Sequence, residues 1–187
     1  MDPMFWIVLG GLGVASGGLA WFGLKRVPPL QRLPPPDRRG VEQVAARRGL
    51  QAELQGPAGT WRLRGELHGR PVEVRVVEVD GERWTEARVR LPGLPPELRV
   101  EGRAQARRGA VPTGHADVDA ALAVHGPVEA LQPAWADPAR RAAWIAVLSP
   151  PFGPAVDAGW LVHADLGADG AHMEALLDRL LAAAARL

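Results

Sequence analysis

A continuous apolar run, a proline-rich stretch and a region of alternating apolar and polar residues divide this chain into three parts with different expected structures. Met4 to Leu24 is a continuous run without any charged side chain. A run of about 20 apolar residues is long enough to cross a bilayer as a helix, whereas alternation of apolar and polar residues indicates strands. Alternation begins only after a short proline-rich stretch. The sequence therefore predicts a transmembrane anchor at 1–24, a basic proline-rich linker at 25–40 and a soluble domain at 41–187.

The flanks of the apolar run support a membrane span. Trp6 and Trp21 stand near its two ends, and Lys25 and Arg26 follow it directly. Aromatic rings and basic side chains favour the headgroup region of a bilayer. These four residues are therefore expected at the membrane interface, with the lipid bilayer as one partner of the chain.

The charges around the run predict its orientation. Asp2 is the only charged residue before it, whereas five basic residues and only Asp37 follow it within the linker. Cytoplasmic flanks of membrane helices carry the excess of Lys and Arg. The sequence predicts a single-pass protein of the bacterial inner membrane with a cytoplasmic domain. An exported domain is the alternative, although a signal peptide would require basic residues before the run.

Small residues within the run permit close approach of two helices. Gly13 and Gly17 form a GxxxG step, and Ala20 continues the same face. Such a face packs transmembrane helices into dimers. A homodimer through this helix is one interpretation, and chance occurrence in a glycine-rich segment is the other.

The linker is expected to be extended. Five prolines lie between positions 28 and 36. Proline blocks helix formation and favours polyproline II, so nine such residues span about 28 Å at ~3.1 Å each. A semi-rigid spacer is favoured over a ligand for an SH3-like partner.

Alternation predicts an antiparallel meander between positions 61 and 100. Asp80-Gly81 has the composition of a two-residue hairpin turn. The polar positions between the apolar ones are mainly Arg and Glu, which predicts a solvated face with weak ion pairs. The apolar positions expected to point inward are Trp61, Leu63, Leu67, Val72, Val74, Val76, Thr85, Ala87, Val89, Leu91, Leu98 and Val100.

The second half of the domain is expected to mix helices and strands. The predicted helices are Val41–Arg48, a helix from the Asp137-Pro138 cap to Leu148, and an amphipathic helix at Gly170–Leu187. The predicted strands are Ala120–His125, Ala155–Asp157 and Trp160–Asp165, and 103–119 reads as a loop. The fold class is therefore α+β: an antiparallel sheet of six or seven strands with an inserted helix and a C-terminal amphipathic helix.

The amino-acid composition excludes several kinds of catalytic and metal-binding site. The chain has no Cys, its only Lys is Lys25, and Ser occurs only at positions 16 and 149. Thiol catalysis, zinc–thiolate sites and lysine Schiff bases are therefore excluded from the domain. Residues 41–187 carry a formal charge of −2, which is not the basic footprint of a nucleic-acid-binding protein. No cofactor is expected.

Two groups of residues could bind a metal. His115, Asp117 and Asp119 alternate, so on an extended strand their side chains would point the same way. Turn hydrogen bonds of the aspartates are the alternative. The second group is Asp165, Asp169 and His172, although Asp169 is more simply explained as the cap of the last helix and His172 as a residue of its first turn.

Several runs of the domain resemble a pattern in uncharacterised bacterial proteins that join an N-terminal membrane segment to a small α+β domain. In that pattern a TGD-x-x-FD-like step precedes a strand. Here Thr113, Gly114 and Asp117 or Asp119 fill the step, with His115 in place of the Asp. The resemblance implies a fold and a tethered architecture, and no activity. The runs are GELHGRPVEVRV through ARVRLPGLPPELRV, TGHADVDAALAVHG, PARRAAWIAVL and LLDRLLAAAARL.

Three functions remain in competition. A non-catalytic tethered domain that recruits or scaffolds a protein partner at the membrane face accounts for the anchor, the spacer and the lack of catalytic motifs. Trp84, on the charged side of its strand, is the tryptophan expected to mark a contact surface. The alternatives are a module for lipid or anionic small ligands, and a metal-dependent enzyme using His115, Asp117 and Asp119. Arg107, Arg108, Arg140 and Arg141 are the basic residues considered for the anionic ligand.

Overall fold

The computed structural model describes residues 38–55, 60–79, 82–106 and 108–187. The predicted anchor therefore lies outside the described residues, together with its interface residues (Trp6, Trp21, Lys25, Arg26), its small-residue face (Gly13, Gly17, Ala20) and the Asp80-Gly81 turn. Among the helices that can be described, none combines the length and the apolar character needed to span a membrane.

The described residues form an α+β fold, as the sequence predicts. The strands are β1 (Gln51–Gln55), β2 (Thr60–Leu67), β3 (Arg70–Val79), β4 (Glu82–Arg90), β5 (Arg99–Gly102), β6 (Leu122–His125), β7 (Ala155–Asp157) and β8 (Trp160–Leu166). The helices are α1 (Arg38–Arg48), α2 (Ala116–Ala121), α3 (Gln132–Trp135), α4 (Pro138–Leu148) and α5 (Gly170–Ala184), with short 3₁₀ turns at Arg103–Gln105 and Val128–Leu131.

The strands form one antiparallel sheet in the order β1-β2-β3-β4-β8-β7-β5-β6. The predicted meander is correct for β2, β3 and β4, but its predicted fourth strand at Leu98 and Val100 is wrong in position, because β5 pairs with β6 and β7 and not with β4. β3 and β4 pair from Val79 opposite Glu82, which agrees with a two-residue connection between them. β8, near the end of the chain, lies directly beside β4 and joins the meander to β7, β5 and β6. The sheet is thus assembled from two distant parts of the sequence.

One face of the sheet carries the apolar core. Val72, Val74, Ala87 and Val89 alternate with charged residues and are all at most 3% exposed. Because successive side chains of a strand point to opposite faces, these four lie together on one side. α5 packs against β4 and β8, and its buried residues complete this core: Gly170, Met173, Leu176, Leu177, Leu180, Leu181 and Ala184.

α1 packs alongside α5. A Cβ on Gly170 would lie 2.5 Å from the carbonyl carbon of Gly40, so only glycine permits this approach. Arg48 donates from Nε to Glu174 at 2.9 Å and from Nη2 to Asp178 on the same helix. The packing therefore ties the beginning of the described chain to its end.

Both predicted caps are confirmed. The carboxylate of Asp137 accepts from the backbone N–H of Ala139 at the start of α4, and that of Asp169 accepts from His172 at the start of α5. Each satisfies a backbone donor that lacks an intrahelical partner. α4 buries Trp144, Val147 and Leu148, as its spacing predicts.

The loop prediction for 103–119 and the strand prediction from Ala120 are wrong in part. A 3₁₀ turn occupies Arg103–Gln105, and α2 continues to Ala121, so β6 begins only at Leu122. Asp119 stabilises the first turn of α2, where its Oδ1 accepts from the backbone N–H of Thr113. Carboxylates favour the first turn of a helix because the helix dipole is positive there.

Two further elements differ in extent. α1 begins at Arg38 rather than Val41, with Arg38 Nε and Glu42 Oε1 at 2.9 Å across its first turn. The sheet has eight strands in the described residues because Gln51–Gln55 also pairs with β2. This edge strand was not predicted, since its sequence QAELQ has few β-branched or aromatic residues.

Leu177→Ala should destabilise the fold strongly. Leu177 is fully buried in α5, and truncating a buried leucine removes apolar contacts and leaves a cavity, at a cost of about 2–5 kcal/mol. Urea unfolding followed by tryptophan fluorescence measures the change. The matched control is Leu54→Ala, because Leu54 is 59% exposed; equal losses in both variants would contradict this placement of the core.

Candidate functional site

A group of charged residues occupies the face of the sheet opposite the apolar core. We call it the arginine–glutamate cluster: Arg62 and Arg64 from β2, Glu73 and Arg75 from β3, and Glu86 and Arg88 from β4. The strand register sets Arg64, Glu73 and Arg88 in one row across the three strands, and Arg62, Arg75 and Glu86 in the next. The sequence segments RLRGE, VEVR and EARVR produce this arrangement because their charged residues alternate with the core residues.

Glu86 is the centre of the cluster. Its side chain is fully buried, and its Oε1 accepts from Arg75 Nε at 2.8 Å and from Arg88 Nε at 2.6 Å. A buried carboxylate needs such partners because its loss of hydration is costly. The prediction of a merely solvated face is therefore wrong at this position, where the carboxylate lies beneath two guanidinium groups.

Glu73 is held by the neighbouring row. Arg62 donates from Nη2 to Glu73 Oε2 at 2.7 Å, and Arg64 Nε lies 3.7 Å from the same oxygen. Partial burial acts to raise the pKa of the Glu73 carboxyl, but the hydrogen bond from Arg62 and the charges of Arg62, Arg88 and Arg64 outweigh it. The pKa is lowered below its ordinary value, so Glu73 is ionised at neutral pH.

The arginines of the cluster retain donors that the protein does not use. Arg75 and Arg88 bond to Glu86 only through Nε, and their terminal Nη groups make no hydrogen bond within the described part of the chain. Solvent reaches all of these side chains, which are 19% exposed for Arg75, 22% for Arg88 and 44% for Arg64. The face therefore presents guanidinium donors outward.

A second buried glutamate, Glu101 on β5, lies on the same face of the sheet and is also paired with an arginine. This carboxylate is fully buried, with Arg99 Nη2 at 2.9 Å and His125 Nε2 at 3.4 Å. Between the two carboxylates, the guanidinium of Arg90 lies over the Trp160 ring at 5.4 Å from its centroid. The polar face of the sheet is thus organised by two buried glutamates.

The tryptophans are mostly part of the core. Trp61, Trp135 and Trp144 are buried, whereas Trp84 and Trp160 are half-buried. Trp84 is thus among the more accessible tryptophans, but it is not the exposed contact residue that its position on the charged face suggested.

His115, Asp117 and Asp119 do not lie on one extended strand. His115 precedes α2, and the two aspartates belong to its first turn. Asp117 Oδ2 accepts from Arg141 Nε at 3.2 Å, Asp119 accepts from Thr113, and His115 Nε2 lies 3.3 Å from Gln132 Oε1. Each side chain thus has its own partner. The extended strand that would point all three side chains toward one metal ion does not form.

Asp165 and Asp169 of the second group also have different structural roles. Asp165 pairs with Arg179 of α5 at 2.9 Å, while Asp169 caps that helix through the backbone of His172. Throughout the described ranges, no group of three or more His, Asp or Glu side chains is arranged to hold a metal ion.

The basic residues considered for an anionic ligand are also dispersed. Arg141 donates from Nη1 to the backbone oxygen of Trp135, so it serves the packing of α4. Arg108 and Arg140 are exposed, and Arg107 lies outside the described residues. The arginines that do converge are those of the cluster, whose alternation was read from the sequence only as a solvated face.

One exposed phenylalanine is a feature that the sequence patterns do not predict. Phe152 is 72% exposed and has a φ of +59°. It follows Pro151 in a turn closed by the backbone hydrogen bond from Gly153 N–H to the Pro150 oxygen at 2.8 Å. The third position of such a turn favours glycine, since positive φ is strained for bulky side chains. The sequence signal for this turn is PPFG, whose prolines also mark the end of the preceding helix.

Acid should destabilise the protein through Glu73 and Asp165. Burial acts to raise the Asp165 pKa, but the hydrogen bonds from Arg179 and the Leu166 backbone and the charges of His172 and His163 together outweigh it, so both carboxyls have lowered pKa values, from ordinary values of 4.5 and 3.8. Their stabilisation is complete above those values and is lost as pH falls through the lowered pKa of the folded state. Urea unfolding between pH 6 and pH 3, roughly the range where carboxyls titrate, should show declining stability.

Glu73→Gln should make the unfolding free energy depend less on pH, because it removes one of the two carboxyls whose pKa is lowered by folding. The exposed carboxylate Glu53 on the neighbouring edge strand supplies the control variant, Glu53→Gln. A pH dependence that Glu73→Gln leaves intact would contradict the assignment.

Neither a protein-family model nor a curated protein matches this sequence. Among solved structures, the fold is similar to the crystal structure of the mycobacterial trehalose monomycolate transport factor A, TtfA, with a TM-score of 0.51. The two share 12% sequence identity, and the similarity covers 79% of this chain and 90% of that one. At this identity the likeness establishes a shared α+β fold.

Proposed function

We propose that this protein is a non-catalytic accessory domain, tethered to the bacterial inner membrane on its cytoplasmic side, that recruits a protein partner of a lipid-transport system. The observation that carries recruitment is Phe152, which the fold holds exposed in a strained turn. The tether rests on the apolar run at 4–24 and its basic flank. The lipid-transport context rests on the fold shared with TtfA, a transport factor.

The turn at Phe152 favours a role in contact over a role in stability. An aromatic side chain in water contributes little to the core, and a positive φ costs an L-residue about 1–2 kcal/mol. Glycine would relieve that strain at the same position. Large aromatic side chains, by contrast, are enriched among the residues that dominate protein–protein binding. The turn therefore keeps a strained backbone conformation that destabilises the fold slightly, and it exposes an aromatic side chain that suits a protein partner.

Non-catalytic function is supported by how the described polar residues are used. His115, Asp117 and Asp119, the residues considered for a metal-dependent enzyme, each have a separate structural partner, as with Asp117 and Arg141. The most buried carboxylates, Glu86 and Glu101, are neutralised by arginines. Groups paired in this way hold a surface in place rather than presenting a base or nucleophile to a substrate.

The absence of native cysteine allows a direct test of tethering and orientation. An Arg108→Cys variant introduces one thiol at an exposed position of the domain. In spheroplasts, a membrane-impermeant maleimide should label it only after lysis, and the chain should remain in the membrane fraction after alkaline carbonate extraction. Labelling of intact spheroplasts would place the domain outside the cytoplasm, and extraction by carbonate would contradict the span.

Phe152 can be tested separately as the recruiting residue. A photo-crosslinking phenylalanine analogue at position 152 of the full chain should give a discrete crosslinked product in native membranes. The matched control places it at Leu54, which is also exposed but lies on the β1 edge. Equal products from both positions, or none from position 152, would contradict recruitment through this turn.

The Phe152→Gly variant separates contact from folding. We expect an unfolding free energy unchanged or up to about 1 kcal/mol higher, because glycine tolerates the positive φ. The same variant should lose co-purification with the crosslinked partner. A clear loss of stability would instead show that Phe152 supports the fold.

A further inference from the structure

In the arginine–glutamate cluster two arginines face each other across the strands, and each is bonded to a glutamate of the cluster. Arg62 and Arg75 are direct cross-strand partners on β2 and β3. Like charges at such positions are destabilising. Glu53, opposite Arg62 on β1, is exposed and forms no ion pair with the described residues. The six residues of the cluster carry four positive and two negative charges, and the register places the acidic residues Glu53, Glu66 and Glu82 around them on the same face.

The hydrogen-bond donors that the protein does not use lie next to this pair of arginines. Arg75 and Arg88 use Nε for Glu86 and leave their Nη groups to solvent, as described above. Arg62 uses Nη2 for Glu73, while its Nε is buried and has no partner within the described residues. Several guanidinium groups from three adjacent strands thus offer donors in the same small area.

Glu86 fixes the direction of these donors. Because both Nε atoms bind one buried carboxylate oxygen, the planar guanidinium groups of Arg75 and Arg88 are held in place before any ligand arrives. Pre-organised donors lose less entropy on binding, and guanidinium forks match the geometry of tetrahedral oxyanions. Glu86 is therefore a positioning residue rather than a competitor for the ligand.

We infer that the arginine–glutamate cluster is a binding site for a phosphate group, in which Arg62, Arg75 and Arg88 donate to its oxygens and Glu86 positions the last two. A phosphate at the cluster would accept the Nη donors that Arg75 and Arg88 do not use for Glu86. Arginine clusters that form charge-assisted hydrogen bonds are a general means of binding phosphate. This site goes beyond partner recruitment, since it lies on the sheet face and not in the Phe152 turn.

Titration calorimetry of the full chain in a nonionic detergent tests the site, with inorganic phosphate as the probe and ionic strength held constant with chloride. Saturable binding is expected, and Arg88→Lys should weaken it by about tenfold or more, because lysine keeps the charge but lacks the fork. Arg140→Lys, at an exposed position on α4, should bind like the original chain. Absence of saturable binding, or equal binding by Arg88→Lys, would overturn the inference.

Glu86→Gln distinguishes a built site from a patch of positive charge. Removing a negative charge should strengthen phosphate binding to a simple basic patch, whereas it should weaken binding to a site whose donors Glu86 positions. If this variant does not fold, Arg75→Lys distinguishes the same two alternatives. It preserves the positive charge, so a simple basic patch would bind phosphate unchanged, whereas the proposed site should lose affinity for phosphate. Tighter binding by Glu86→Gln, or unchanged binding by Arg75→Lys, would contradict the proposed geometry.

A second titration identifies the source of the phosphate group. Glycerophosphoglycerol, the water-soluble headgroup of phosphatidylglycerol, is compared with inorganic phosphate on the same chain. Preference for the diester, lost in Arg88→Lys, supports a phospholipid headgroup as the ligand, and preference for inorganic phosphate supports a free phosphate. Failure of both to bind overturns the site and leaves recruitment through Phe152 unaffected.

Discussion

The pairing of β4 with β8 is the constraint on which the rest of the structure depends. It joins the meander to the second half of the sheet through a continuous register from Trp84 opposite Leu166 to Arg90 opposite Trp160. α5 follows β8 directly, so this pairing also places α5 across the core face of both strands. The polar residues of β4 are then left on the opposite face, where Glu86 organises the arginine–glutamate cluster.

Much of the local structure could be predicted because short-range physics determines it. Alternation located β2, β3 and β4, and the Asp137 and Asp169 caps located the starts of two helices. The errors arose where local signals were weak or ambiguous. β1 has a sequence with poor strand propensity and is stabilised by its pairing with β2, and the alternating His and Asp residues near position 117 can serve an extended segment or a helix start equally well.

The candidate site was predicted less well than the fold because it depends on register. A sequence shows that Arg and Glu alternate with core residues, but the cross-strand neighbours of Glu86 follow only from the pairing of β3 with β4. Burial of that carboxylate depends in turn on where the side chains of Arg75 and Arg88 lie. The positive φ of Phe152 is similarly a property of a closed turn rather than of residue type.

The position of β8 late in the chain has a consequence for the folding kinetics. The meander β1 to β4 has local connections and can form early, but the outer edge of β4 stays unpaired until residues 160–166 arrive. Non-local pairing slows folding, and an unpaired strand beside exposed apolar surface favours aggregation of the intermediate. During synthesis, this edge of β4 therefore lacks its native partner until β8 has been made.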